Sequence, residues 1–415
     1  MANFPVIPEE VMVDILSRLP IKSLVRFRCV SKPWFYLFTN DPHFAKLHHL
    51  HQTNNTTLTV IGKKYNGKFY CTSCDKSMPV EEFPFPKIPY HSFYEVLASC
   101  NGLICFFTKT LAFSGKKFKL KTLFHLHVWN PYTRDIVTIL SDYSKDLFYK
   151  VLFGFGFNQY SNEYKVVRIE CLFGKQNTRV VSVYTLGENS SWRSLNRSFP
   201  YYICDSHSSY FSQWRNVLVN GALHWFAHWV DLILSFDMRD EVFVEIPKPN
   251  KVGNTCYIAE LGGLLCLLYD DFLEKRIHIW MMQEYGVIDS WTQQYIIEDI
   301  LPSDRFLYYP KLYSRILARL DTEELLIHKN NKKLVLFDPQ NNSVKRLKGC
   351  EFDSGEAFTY VRSLVTPIFN KAVCIPKKNG KKLRETDTTT YTEMVRTPSN
   401  LGRARRKKSG NGKKL

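Results

Sequence analysis

No apolar run in this chain of 415 residues approaches the ~20 residues that a bilayer-crossing helix requires, so no membrane span is expected. The N-terminus lacks a basic region followed by an apolar stretch, and Glu9 and Glu10 interrupt any leader-like pattern. A disulfide frame is missing too. The 11 cysteines are an odd number, scattered singly through apolar runs such as Leu-Ile-Cys105-Phe-Phe and Leu-Leu-Cys266-Leu-Leu. That is how buried free thiols look in a reducing compartment, and it makes nucleus or cytoplasm the expected location.

Catalytic constellations are equally absent. There is no Gly-x-Ser-x-Gly elbow and no lysine-bearing phosphate loop. Gly154-Phe-Gly156 lacks a third glycine and opens no helix, which leaves a bulge or a hairpin rather than a dinucleotide loop. His224 and His228 stand four apart, but no Glu lies between them and the local pattern is strand. Cys71-Thr-Ser-Cys74 has metal-ligand spacing, yet no second close pair follows at a suitable distance. His48, His49 and His51 fall in a stretch read as a solvated linker. No catalytic residue, metal or cofactor is expected, which fits a chain whose task is binding.

Charge is unevenly spread. Residues 371–415 hold 14 Lys or Arg against 3 Asp or Glu, so +11 of the formal +17 sits in this tail and +6 in everything before it. The body therefore has no strong electrostatic case for nucleic acid. Within the tail, the cluster Arg403, Arg405, Arg406, Lys407 and Lys408 suits a nuclear-import signal, a weak nucleic-acid contact or a merely solvated arm.

What is present begins with a helical module. Pro8-Glu-Glu opens a first helix with fixed φ and negative charge where the dipole favours them, and Pro20 ends it. Val11, Met12, Ile15, Leu16 and Leu19 share one side, an apolar sector of roughly 140° where ~100° is usual, wide enough to serve an internal core and a second surface at once. Leu24 and Phe27 point one way on the next segment, Val25 and Cys29 another. Ser31 reads as an N-cap for a helix through Phe38, and Asp41-Pro42 as a cap for a short last helix through Leu47. A unit of about 40 residues is near the lower size limit for folding alone, so a partner or a neighbouring domain is expected to cover it.

The string Ile7-Pro-Glu-Glu-Val through Ser31-Lys-Pro-Trp34 resembles an F-box, in the form found in the large plant family with an F-box-associated interaction domain. The resemblance implies docking on the Skp-type adaptor of a Skp-cullin-F-box ubiquitin ligase, and through it on cullin and RING subunits. The matching positions are Pro8, Leu16, Pro20, Leu24, Arg28, Val30 and Trp34. Pro33 departs from the serine or arginine often seen there, which a helix's first turn tolerates.

Beyond a boundary at residues 51–57 the pattern changes to short apolar runs separated by Asn-Gly, Asn-Pro and Asp-Pro turns, the signature of an antiparallel β protein over 58–370. The aromatic content of 15% agrees. One phrase, strand then polar turn then strand, recurs at 126–137, 181–193, 233–244, 277–291 and 334–345. A second, a tight turn before a buried strand, occurs at Ser99–Phe106, Val219–Trp225 and Leu261–Leu267. Spacing of roughly 50 residues is near that of kelch-type blades and predicts a propeller of about six, with a large irregular sandwich as the alternative. These phrases, with Phe153–Val167 and Tyr360-Val-Arg-Ser-Leu-Val365, also resemble the F-box-associated domain of the same plant family. The resemblance implies a non-enzymatic receptor that binds a target protein of unknown identity for ubiquitination; a nuclear scaffold acting outside ubiquitin ligase is the other reading. The resemblance does not reach 371–415, expected as a disordered basic tail.

Overall fold

The computed structural model describes residues 7–367 except 54–58, 65–67, 74–79, 87–92, 115–118, 142–148, 173–178, 188–189, 196–215, 228–231, 250–251, 253–255, 272–273, 275, 299–314, 321, 330–332 and 353–356. Cys74, His228 and the cluster from Arg403 to Lys408 lie outside the described residues.

Four helices come first: α1 (Glu9–Ser17), α2 (Ile21–Phe27), α3 (Lys32–Asn40) and α4 (Pro42–Thr53). Their ends form as the local chemistry dictates. The Ser31 hydroxyl accepts the Trp34 amide at 3.3 Å, and Asp41 Oδ1 accepts the amides of His43 and Phe44. The last helix runs to Thr53 rather than stopping at Leu47, so the three histidines are helical. They are not a solvated cluster. His48 is buried with Nε2 3.0 Å from the Leu19 carbonyl, and His51 Nδ1 meets the Ser17 hydroxyl at 2.8 Å. Both tie α4 to α1; the polar run misleads because a histidine ring with one satisfied nitrogen packs as an apolar plate.

Among the described residues, twenty-four strands follow in six four-stranded antiparallel sheets. β1 (Thr59–Lys63), β2 (Phe69–Ser73) and β3 (Glu81–Phe83) open blade 1. Blade 2 is β4 (Phe93–Cys100), β5 (Leu103–Ser114), β6 (Lys119–Trp129) and β7 (Ile136–Ser141). Blade 3 is β8 (Tyr149–Asn158), β9 (Glu163–Leu172), β10 (Arg179–Thr185) and β11 (Trp192–Leu195). Blade 4 is β12 (Val217–Val219), β13 (Ala222–Ala227), β14 (Leu232–Asp237) and β15 (Phe243–Ile246). Blade 5 is β16 (Cys256–Leu261), β17 (Leu264–Asp271), β18 (Arg276–Met282) and β19 (Trp291–Glu298). Blade 6 is β20 (Arg315–Arg319), β21 (Leu325–Lys329), β22 (Lys333–Asp338) and β23 (Ser343–Glu351), after which β24 (Ala357–Tyr360) returns to pair with β1. The fold is a six-bladed propeller closed by its own last strand, not a sandwich. Closure gives every blade a neighbour on both faces.

The recurrent phrases are now legible as hairpins. The five copies of the first are the third and fourth strands of blades 2 to 6, and the three of the second are the first and second strands of blades 2, 4 and 5. Their turns share a mechanism. Asn130, Asp237 and Asp338 each accept two following amides on Oδ1, and four residues later Arg134, Glu241 and Asn342 take positive φ. Asn101-Gly102, Asn220-Gly221 and Gly262-Gly263 place two consecutive residues at positive φ, as tight hairpins between right-twisted strands require.

The propeller's buried apolar residues collect into six clusters, each between successive blades, and a seventh fills the helical module. This explains the continuous apolar runs. On β5, Ile104 and Phe106 face blade 1 while Leu103, Cys105 and Phe107 face blade 3, so both sides of the strand are core. Cys29, Cys71, Cys100, Cys105 and Cys266 are free thiols, and burial raises Cys100 and Cys266 to about 12.

Gly154 and Gly156 lie within β8, the first arm of a hairpin, and pair with Val167 and Lys165 in unbroken register; there is no bulge. They are small because blade 4 is close: a Cβ on Gly154 would stand 2.6 Å from Trp225 Cζ2 and 2.8 Å from Leu223 Cδ1. Gly154→Ala should therefore cost about 1–3 kcal/mol through overpacking, read as a lower denaturant midpoint.

Candidate functional site

Antiparallel order sends alternate turns to opposite rims. The turns from first to second and from third to fourth strand share one rim, and the second-to-third turns and the inter-blade connections share the other. The helical module sits on the first of these, over blade 2. His49 of α4 is hydrogen-bonded to the Asn101 side chain in the β4–β5 turn, and Tyr132 in the β6–β7 turn joins the module's apolar cluster. Met12, Leu16, Leu19, Leu24, Phe38 and Phe44 belong to that cluster.

The seven positions matched from sequence do not form one surface. Leu16 and Leu24 are 4% and 0% exposed and belong to the module's own core. The same chain thus satisfies the inward half of the wide α1 sector. Trp34 is half-buried, its ring 5.6 Å from Phe27 and 5.9 Å from Phe38. Arg28 is half-buried as well; a guanidinium nitrogen donates to the Phe38 carbonyl at 3.4 Å, and burial lowers its pKa against the opposing pull of Asp135. Only Pro8, Pro20 and Val30 are open to solvent, Val30 at 63%.

A different apolar set is bare. Val11 and Ile15, four residues apart on one face of α1, are 48% and 49% exposed, and Ile7, two residues ahead of the helix, is bare as well. Phe35 and Tyr36 on α3 and Leu50 on α4 are exposed too. The signal for the stripe was present in the sequence as the excess width of the α1 sector. Nothing local said which half of it would face out.

Elsewhere, the carboxylates of Asp271 and Glu274 and the ring of His278 bring their ligand atoms within 4.8 Å of one another, a grouping that sequence reasoning missed. Asp271 Oδ1 accepts the Glu274 amide, and the Glu274 carboxylate is held by Arg276 at 3.1 Å, so a cation already neutralises it. Cys71 is half-buried in β2, its thiol pKa raised by burial. His224 lies wholly within the blade 4 sheet, Nε2 2.8 Å from the Tyr285 hydroxyl of blade 5, as packing rather than ligation. No helix among the described residues is long and apolar enough to cross a membrane.

Comparison with known proteins covers both the helical module and the propeller. Residues 4–46 match the F-box domain, and residues 55–368 match the F-box associated beta propeller domain. F-box protein CPR1 of Arabidopsis thaliana is 31% identical over 397 residues, covering 86% of this chain and 88% of the relative. F-box/kelch-repeat protein At3g23880 of the same plant is 27% identical over 389 residues, covering 87% and 96%. Among solved structures, that of YjhT overlaps with a TM-score of 0.39 at 10% identity, over 71% of this chain and 95% of that one. The chain belongs to the plant F-box proteins whose second domain is an F-box associated beta propeller.

Proposed function

We propose that this protein is the substrate-recognition subunit of a Skp-cullin-F-box ubiquitin ligase, bound to the Skp-type adaptor by its helices and to a target protein by its propeller. The observation that carries the reading is the bare apolar face of Val11 and Ile15 on α1, with exposed Ile7 just ahead of it, on a matched F-box: hydrocarbon that the chain's own core leaves uncovered. The second surface is the rim opposite the helices. It carries the second-to-third turns and the inter-blade connections of the propeller. Placing adaptor and target on opposite rims lets both bind at once. Catalysis is then a matter of proximity: a target lysine held beside the ubiquitin carrier gains effective concentration with no acid, base or nucleophile from this chain. A nuclear or cytoplasmic site of action is part of the same proposal, supported by the free thiols and the basic cluster from Arg403 to Lys408.

The test is adaptor capture by full-length protein carrying Val11→Asp and Ile15→Asp together. Two charges on the stripe should weaken capture by at least about 30-fold, about 2 kcal/mol. Since both side chains are half exposed, the denaturation midpoint should stay where it was. Undiminished capture would refute the assignment of this face.

A further inference from the structure

Three phrases singled out in the sequence meet at one place. They are Ser99-Cys-Asn-Gly-Leu, Trp129-Asn-Pro-Tyr-Thr and Tyr360-Val-Arg-Ser-Leu-Val, and their meeting point is the segment 361–366 just after the closing strand β24. This strap crosses blade 2 under the helices. Asn130 Nδ2 donates to the Ser363 carbonyl at 2.9 Å and to that of Val365, while its Oδ1 accepts the amides of Tyr132 and Thr133. Gly102, at φ +80°, makes room: a Cβ there would stand 2.1 Å from Ser363 Cβ. The Thr366 hydroxyl donates to Asp135, and Tyr132 stacks on Tyr360 at 5° between planes. Held in this way, Leu364 is 2% exposed, and the residues around it are those of the helical module: Leu16, Ile21, Leu24, Phe38 and Phe44.

We infer that the strap is the missing core piece of the F-box, so that the module completes its fold only in a chain whose propeller ring has closed. The helices are the first part of the chain to be made. Leu364 is separated from Leu24 by the whole propeller, and it can reach the module only once β24 has paired with β1, because the strap begins at the next residue. A module of about 40 residues has no surplus core to replace it. Ring closure and presentation of a formed adaptor face become one event. A truncated or unclosed chain would not recruit the ligase; that last consequence rests on the receptor reading, whereas the coupling itself does not.

Hydrogen exchange on full-length protein decides it. Leu364→Ala shortens the inserted side chain. Asn130→Asp keeps the acceptor for the Tyr132 and Thr133 amides but turns the donor into a carboxylate facing two carbonyls, altering no residue of the helices. In both variants the protection of α1, α2 and α4 amides should fall by about tenfold or more, with β13, β14, β17 and β18 unchanged, and Leu364→Met should restore it. Helix protection equal to wild type in both variants would overturn the inference, as would an even loss across all blades. Adaptor capture on the same samples separates the two claims. If wild-type protein captures no adaptor the receptor reading falls, while the exchange data still decide the strap.

Discussion

Lowering the pH from about 6.5 to about 4 should strip this protein of roughly 6 kcal/mol of folding free energy through two histidines alone. His127 on β6 and His224 on β13 are buried, and burial is the leading cause that lowers each to about 4 in the folded chain, against an ordinary value of 6.5. His127 lies between two threonine hydroxyls, with Nε2 3.0 Å from Thr108 and Nδ1 3.0 Å from Thr138, and stacks on Phe106. His224 is gripped by the Val217 carbonyl and Tyr285. A group that is less basic folded than unfolded binds fewer protons in the folded state between those two values. Its stabilisation is therefore complete above about 6.5 and disappears as pH falls toward 4, at about 1.4 kcal/mol per pH step, or about 3 kcal/mol for each ring. Denaturant unfolding between pH 7.5 and 4 measures it. His127→Gln with His224→Gln should flatten most of the slope; a slope unchanged in the double variant would show that these rings carry none of it.

Glu241→Ala should destabilise by about 3–5 kcal/mol. Glu241 sits in the β14–β15 turn of blade 4, and its carboxylate meets Lys165 of blade 3 at 2.9 Å, with side chains only 13% and 7% exposed. The same ammonium donates to the Met238 carbonyl, as does Asn158 Nδ2, so the turn is fastened to its neighbour from three directions. Burial opposes ionisation of Glu241, but hydrogen bonds from Arg193 and Lys165 prevail and hold its pKa below the usual carboxylate range. Truncation would leave the ammonium buried without its counterion, which is the expensive way to break such a pair. Adding Lys165→Met, which removes the second charge and keeps the volume, should recover most of the loss. Arg193, 57% exposed, is a minor partner, and Arg193→Ala should cost no more than about 1 kcal/mol. Denaturant midpoints of the three variants decide the order; a Glu241→Ala protein as stable as wild type would mean that inter-blade apolar packing alone holds this joint.

Much of this was written locally. Capping residues Ser31 and Asp41 mark helix starts because a side-chain oxygen one turn from an orphan amide needs no distant help. Asn130, Asp237 and Asp338 mark turns for the same reason. What misled were groups whose surroundings come from afar. His48 and His51 read as solvated until α1 is laid beside them, and the choice between bulge and hairpin at Gly154 stays open until β9 is paired with it and Trp225 is brought to its Cα.

The parts are legible residue by residue: four helices with an apolar sector too wide for one core, and repeated hairpins whose turn chemistry and spacing predict about six blades. Tertiary structure alone decided how the parts use their faces. Which half of the α1 sector turned inward, leaving Val11 and Ile15 bare and enclosing Leu16, was set by packing against the other helices and against Leu364, which follows the closing strand. A residue's periodicity states that it has an apolar face; what that face meets is set by chain hundreds of residues away, and no local pattern carries that distance.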